Sequence, residues 1–395
     1  MAARSPCDSR STPTRSQQRR PAQLRVFSLV ASAAMVTGGA VIANRCSVIH
    51  NAAAMSIVKR HNVLERLRRK PNAVIDVHTH IGVELTHYLP KAYPYALSFE
   101  QLCREGEGVD AFVVFPMVSS LYFSLVGIKN GKIVPAPNAI CRFPYQHENE
   151  RMLHEIYELF PQLASRALPF IIIDPSREPA AQLRHIKSLR KRYPFYGIKI
   201  QGTIPQIPIQ SLTQQGRCFL DYAREENLPF LIHSSVIPSD IWAQAHDILD
   251  IVEANPDVRF IAAHCCRFDK TALDRVAQLP NAWFDHSAFG IHCDLAADNS
   301  PVCALGRKRF PANYRKPAEV IRALAAAYPD KFIYGSDAPY YSYVAWYQPP
   351  KGKPQFLNLR SSMKKELGLL NAVPGALRRR ICRDNTLRFL TGVME

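Results

Sequence analysis

From residue 71 onward, short β-branched and aromatic runs alternate with longer amphipathic stretches. Runs 73–78 (AVIDVH), 111–116 (AFVVFP), 168–174 (LPFIIID), 197–200 (GIKI), 229–233 (PFLIH), 259–264 (RFIAAH), 282–287 (AWFDHS) and 331–337 (KFIYGSD) read as eight strands. Most are apolar at consecutive positions, as strands covered on both faces are. Between them, 98–107, 147–161, 178–192, 211–227, 240–254, 270–278 and 317–327 read as helices; in 240–254, Ile241, Ala245, Ile248 and Ile251 recur near helical spacing. This alternation predicts βαβ units, a parallel sheet and an α/β fold. Eight units over the 325 residues from 71 to 395 exceed the ~250 of a typical (β/α)₈ TIM barrel. Enlarged loops are therefore expected at 117–146, 289–316 and 338–362, after strands 2, 7 and 8. A doubly wound open sheet is the alternative topology.

The positions of the polar side chains separate the two. Strand 1 ends in His78-Thr79-His80, strand 4 carries Lys199, and strand 5 ends in His233. Strand 6 ends in His264, strand 7 carries Asp285 and His286, and strand 8 ends in Asp337. Residues so far apart in sequence converge only if their strands close into a ring and end on one face. Residues i and i+2 of a strand point to the same side, so His78 and His80 can present imidazoles to one ion. Imidazole and carboxylate suit zinc, and also manganese, iron or cobalt.

The series AVIDVHTHIG, YGIKI, LPFLIHS, RFIAAHC and FIYGSDAP, with Asp384-Asn385-Thr386 near the C-terminus, resembles the amidohydrolase superfamily. It looks nearest to the amidohydrolase-related branch that includes the aminocarboxymuconate-semialdehyde decarboxylase type. The resemblance covers about 71–395. It implies a TIM barrel whose divalent metal, one ion or two, is held by His78, His80, His233 and Asp337. It implies that His264 ligates a second metal or polarises the substrate, and that a carbamylated Lys199 bridges two ions. Lys199 is open to two other readings, binding a substrate carboxylate or pairing with a neighbouring acid.

The expected chemistry is hydrolysis of a small organic amide, ester or lactone, with a metal lowering the pKa of water toward ~7. Asp337 then moves the proton, and His264 stabilises charge on the substrate oxygen. Arg267, three residues past His264, is a candidate clamp for an anionic substrate group. Tyr340, Tyr341, Tyr343, Trp346 and Tyr347 suggest an aromatic lid. The rival reaction on the same residues is non-oxidative decarboxylation of an aromatic or unsaturated carboxylic acid. A barrel that only binds a ligand is the rival outside catalysis.

Charge changes one part of this picture. Of the net +17, residues 1–70 hold +11, with 13 Lys+Arg against Asp8 and Glu65, and only +6 is spread over the rest. Nucleic-acid binding needs a concentrated basic face or a known module, and neither is present. Residues 1–70 read as a basic leader, and the charge-free stretch 26–44 gives it the look of an export signal or membrane anchor. A disordered tail, and an over-long gene start with the protein beginning near Met55, are the other two readings. The ten cysteines contain no C-x-x-C pair, so reduced thiols in a cytoplasmic catalytic domain are expected. Membrane contact or export is expected only through 26–44. A small-molecule substrate is the expected partner, with a homo-oligomer an open option.

Overall fold

The computed structural model describes residues 62–84, 95–118, 121–129, 132–347 and 355–393. Segment 1–61, including 26–44 and the targeting role expected of it, lies outside the described residues. Among the described residues no helix is long and apolar enough to cross a membrane.

Eight parallel strands occupy the eight expected runs: β1 (Ile75–Glu84), β2 (Ala111–Pro116), β3 (Ala167–Ile172), β4 (Gly197–Ile200), β5 (Phe230–Ile232), β6 (Phe260–Ala262), β7 (Ala282–Asp285) and β8 (Phe332–Ile333). Each pairs with its neighbour in chain order. The chain leaving β8 then meets β1. Val77 N donates to Tyr334 O (3.0 Å), Asp337 N to His78 O (2.8 Å) and His80 N to Ala338 O (2.7 Å). These bonds close the sheet into a barrel and exclude the open-sheet alternative.

Alternation along the strands sorts side chains into two layers. Val77, Val113, Phe170, Leu231, Ile261 and Trp283 belong to one buried cluster inside the ring. Phe112, Val114, Ile198, Ile200 and Phe284 belong to another, under the surrounding helices. Gly197 takes an inward position because Phe170 fills the space: a Cβ there would lie 2.3 Å from the Phe170 ring.

Residues 62–70, grouped with the leader by charge, belong to the packed structure. Helix Val63–Arg69 is capped by the Asn62 side chain, which accepts from Glu65 N, and it buries Val63 and Leu67. Those two residues share the inner cluster with Leu387, Phe389 and Leu390 of the last helix, Asn385–Thr391. Together the two helices close the end of the barrel from which the strands start.

The expected helices are present: Pro179–Arg190 and Pro317–Ala327 shift little, whereas the helix expected at 240–254 starts at Ala245 and leaves Ile241 exposed in the turn before it, and the one expected at 211–227 starts at Arg217. The enlarged loops carry structure of their own. The first holds a hairpin of Phe123–Lys129 and Lys132–Pro135, and the third a hairpin of Tyr343–Tyr347 and Gln355–Leu359. The second begins with a helix, Phe289–Ala297, where the sequence suggests only loop. The Glu366 carboxylate accepts from Gly290 N in its first turn (3.3 Å).

Candidate metal centre

The site is aimed by a break in strand regularity. Asp76 of β1 is opposite Phe112 of β2, yet Thr79 is opposite Val114, so β1 carries one extra residue between the two pairs. Such a bulge shifts the phase of everything after it. Ile75 and Val77 face inward with the core; without the bulge Thr79 would follow them and the histidines would face the helices. With it, His78 and His80 both pack edge-on against the inward Phe115 ring, at 5.0 and 4.4 Å. Asp76 holds the bulge by accepting from His78 N (3.0 Å) and Ser336 N (2.9 Å). Gly335 leaves room for the result, since a Cβ there would be 2.9 Å from His78 Cβ.

His78 Nδ1 lies 2.9 Å from Asp285 Oδ2. The carboxylate can only accept, so the imidazole proton is assigned to Nδ1 and the Nε2 lone pair points at the centre. Nε2 lies 3.2 Å from Asp337 Oδ1, and His80 Nε2 lies 3.3 Å from the same oxygen. Lys199 Nζ approaches His78 Nε2 to 3.3 Å and stands over the Phe115 ring. Burial, with the Lys199 charge beside it, lowers the His78 pKa to about 4, and burial lowers Lys199 to about 7. Burial opposes ionisation of Asp285 too, but the His78 ring and several N–H and O–H donors hold its carboxyl below the usual range. Burial pushes Asp337 well above that range.

These facts fit a divalent cation. Neutral imidazole and carboxylate are both electron-pair donors, and facing each other at 3.2 Å they need a proton or a cation between them. Among the described residues, His78, His264 and Asp337 offer ligand atoms close enough together to hold one ion.

His264 arrives by a second irregularity. His264, Cys265, Cys266, Arg267 and Phe268 have φ of 61°, 49°, 47°, 53° and 63°, a left-handed turn made without glycine. Each such residue costs about 1–2 kcal/mol, a strain associated with functional sites. In a turn of about three residues, positions i and i+3 share a side. His264 and Arg267 therefore face the barrel mouth, while Cys265, Cys266 and Phe268 join the outer core. The two thiols consequently share one layer.

A directional chain of hydrogen bonds then runs through the site. Arg267 Nη2 donates to His233 Nε2 (3.4 Å), and His233 Nδ1 to His264 Nε2 (3.0 Å). His264 Nδ1 donates to Ser287 Oγ (2.7 Å), and Ser287 Oγ to Asp285 Oδ1. Tautomers are assigned so that every link has one donor, and His264 would join an ion only by giving up one of these bonds. His264 Nδ1 is also 3.8 Å from Asp337 Oδ2. His233 thus stands one ring farther out, with both nitrogens engaged. Burial, with the Arg267 charge, lowers both histidines well below the usual imidazole range.

The structure therefore gathers His78, His80, Lys199, His264 and Asp337 at one mouth, with His233 and Arg267 adjoining. Asp285 is the common support of His78 and His264, the latter through His264 N at 2.9 Å. His286, one residue on, points outward among Phe289, Phe332 and Tyr334. Tyr340 covers His80 at 4.8 Å, edge to face. His292, in the unexpected helix Phe289–Ala297, is a neighbour that sequence reasoning missed: its Nε2 accepts from Arg267 Nη1. A cavity of about 580 Å³ opens at the opposite end of the barrel, beside Leu64, Phe195 and Leu390, away from all of these groups.

Comparison with known proteins agrees with this architecture. A family model described as amidohydrolase matches residues 137–391, more than half of the chain, and begins beyond His78 and His80. No curated protein sequence matches. A Burkholderia multivorans amidohydrolase with bound HEPES has 12% identity and a TM-score of 0.51, covering 81% of this chain and 99% of its own. It shows a shared fold. A zinc-bound amidohydrolase structure from the same organism gives 13% identity, 80% and 99% coverage and a TM-score of 0.49. Metarhizium anisopliae IDCase in apo form gives 13%, 80% and 97%, and 0.43.

Proposed function

The chain belongs to the amidohydrolase family, and from that premise we propose that it is a metal-dependent hydrolase acting on a small organic amide, ester or lactone. The family consists of enzymes, mostly hydrolases with some decarboxylases. One observation carries the reading: two imidazole nitrogens reach the same Asp337 oxygen at 3.2 and 3.3 Å.

His78, His80 and Asp337 would hold the ion, with Lys199 as a bridge when carbamylated; His233, the further ligand by family resemblance, would have to give up its hydrogen bond to Arg267 or to His264 to join them. Zinc suits this nitrogen–oxygen set, as do manganese, iron and cobalt. When bound, a divalent ion supplies Lewis acidity toward water and the substrate oxygen. Asp337 takes the proton of the attacking water and passes it to the leaving group. His264 stabilises the charge that develops on the substrate oxygen when its proton sits on Nε2, which requires the His233–His264–Ser287 links to reverse direction. Asp285 fixes His78 in the tautomer that leaves Nε2 without a proton.

The test is metal analysis of the purified full-length chain together with a substrate panel of esters, lactones and amides beside aromatic and unsaturated carboxylic acids. The expected result is at least one divalent ion per chain. Hydrolysis should be lost on chelation and reduced about 10²-fold or more by Asp337→Asn. No bound metal after reconstitution would overturn the reading. Release of carbon dioxide without hydrolysis would replace it with decarboxylation.

A further inference from the structure

Arg267 is a buried cation without an acidic partner. It is 9% exposed, and among the described residues no carboxylate lies within 4.0 Å of its guanidinium. Nε donates to Ser234 O (3.0 Å), Nη1 to His292 Nε2 and Nη2 to His233 Nε2. All three acceptors are neutral. A guanidinium has five N–H groups, so two remain beyond these bonds. Removing a cation from water carries a desolvation penalty that an anion beside it offsets. The nearby carboxylates are engaged elsewhere: Asp285 accepts from His78, His264 and Ser287, Asp337 faces the His78–His80 pair, and Asp240 accepts from Thr203 Oγ1 and Trp242 N.

The backbone supports the same conclusion. The left-handed turn at 264–268 brings Arg267 to the side of His264, and His292 reaches it from a separate helix. Two independent elements thus fix a guanidinium next to the centre. Beside it, His233 is the histidine of the site that is partly exposed, so the approach from solvent lies over His233.

We propose that Arg267, oriented by His292, binds a carboxylate carried by the substrate, so that the hydrolysed amide, ester or lactone is an anionic one. The proposal deepens the hydrolase reading and rests on it for placing the anion beside the reacting bond. The planar fork of the guanidinium matches a carboxylate with two parallel hydrogen bonds. His292 acts as a positioning residue, because it touches Arg267 and not the anion.

The experiment measures binding of benzoate and of nitrobenzene, its uncharged isostere, to the full-length protein as purified, with metal content determined on the same samples. Wild type should bind benzoate at least tenfold more tightly than nitrobenzene. Arg267→Met should bring the two within about twofold, leaving nitrobenzene affinity unchanged. Arg267→Lys keeps the charge without the fork and should retain only part of the preference, as should His292→Ala. These two variants carry the readout if Arg267→Met does not fold. Equal binding of both probes by wild type overturns the proposal. So does an undiminished benzoate preference in Arg267→Met, which would place the anion on the metal. A chain that prefers benzoate through Arg267 yet binds no metal would retain the anion site and sink the hydrolase reading instead.

Discussion

Replacing Asp285 with asparagine tests how the centre is organised. Oδ1 of Asp285 receives His264 N at 2.9 Å, Ser287 N at 3.1 Å and the Ser287 hydroxyl. Among the described residues, Oδ2 receives only His78 Nδ1, at 2.9 Å. An asparagine must replace one oxygen by NH₂. Turning NH₂ toward Oδ1's three donors would leave all of them facing a donor, so the amide oxygen takes that position and NH₂ faces His78. Nδ1 must then accept, and the single proton of a neutral imidazole moves to Nε2, the atom 3.2 Å from Asp337 Oδ1. A protonated nitrogen cannot ligate. Loss of such a supporting carboxylate typically costs 10–100-fold in metal affinity, or about 1.4–2.7 kcal/mol. Competition with a chromophoric zinc chelator at pH 7.5 measures the affinity, and ¹⁵N shifts of the imidazole report the tautomer. A folded Asp285→Asn protein with affinity within twofold of wild type and Nδ1 still protonated would refute the reasoning.

Two glycine substitutions should separate site geometry from packing. Gly335→Ala places a Cβ 2.9 Å from His78 Cβ and should lower zinc affinity about tenfold, the low end of a support-residue effect. Gly197→Ala places one 2.3 Å from the Phe170 ring and should cost about 1–3 kcal/mol in urea unfolding with zinc affinity within twofold of wild type. The reverse pattern would contradict the inward assignment of both positions. For Glu366, burial raises the carboxyl from its ordinary 4.5 to about 7. A raised acid pKa gives stability that is complete below pH 4.5 and lost as pH rises through 7, up to about 3 kcal/mol. Glu366→Gln should therefore melt higher than wild type at pH 8, with the gain shrinking toward pH 4.5. A gain independent of pH would show that the buried charge is not its source.

The strands were legible because a barrel strand buries both faces, so its signature is a short apolar run that needs no phase to be recognised. Phase was the hidden variable. The spacing of His78 and His80 says that they share a side but not which side, and the extra residue between Asp76 and Thr79 decides it. That insertion is stabilised by Ser336, 260 residues away, so no local pattern announces it. Where phase is regular, alternation suffices. Gly197 and Lys199 face inward with Ile198 and Ile200 outward, and Asp285 follows Trp283 inward while His286 follows Phe284 outward. The sequence reading, which grouped Asp285 with His286, had the means to part them.

His292 was hidden for a different reason. FGIHCDLAA has apolar residues but no helical period, and one turn contains Gly290, a poor helix former. Its helix depends on tertiary context, with Glu366 at its first turn in space that Gly290 leaves open: a Cβ there would be 2.9 Å from Glu366 Oε1. The turn at 264–268 was equally unreadable, because Cys265, Cys266 and Arg267 carry no mark of left-handed backbone where glycine is the usual one. Residue type therefore disclosed which groups can do chemistry. Which nitrogen of each faces the centre follows from partners such as Asp285, Ser287 and Arg267, brought together only by ring closure and two local irregularities. A change to any of these partners should act on the tautomers before it acts on the fold.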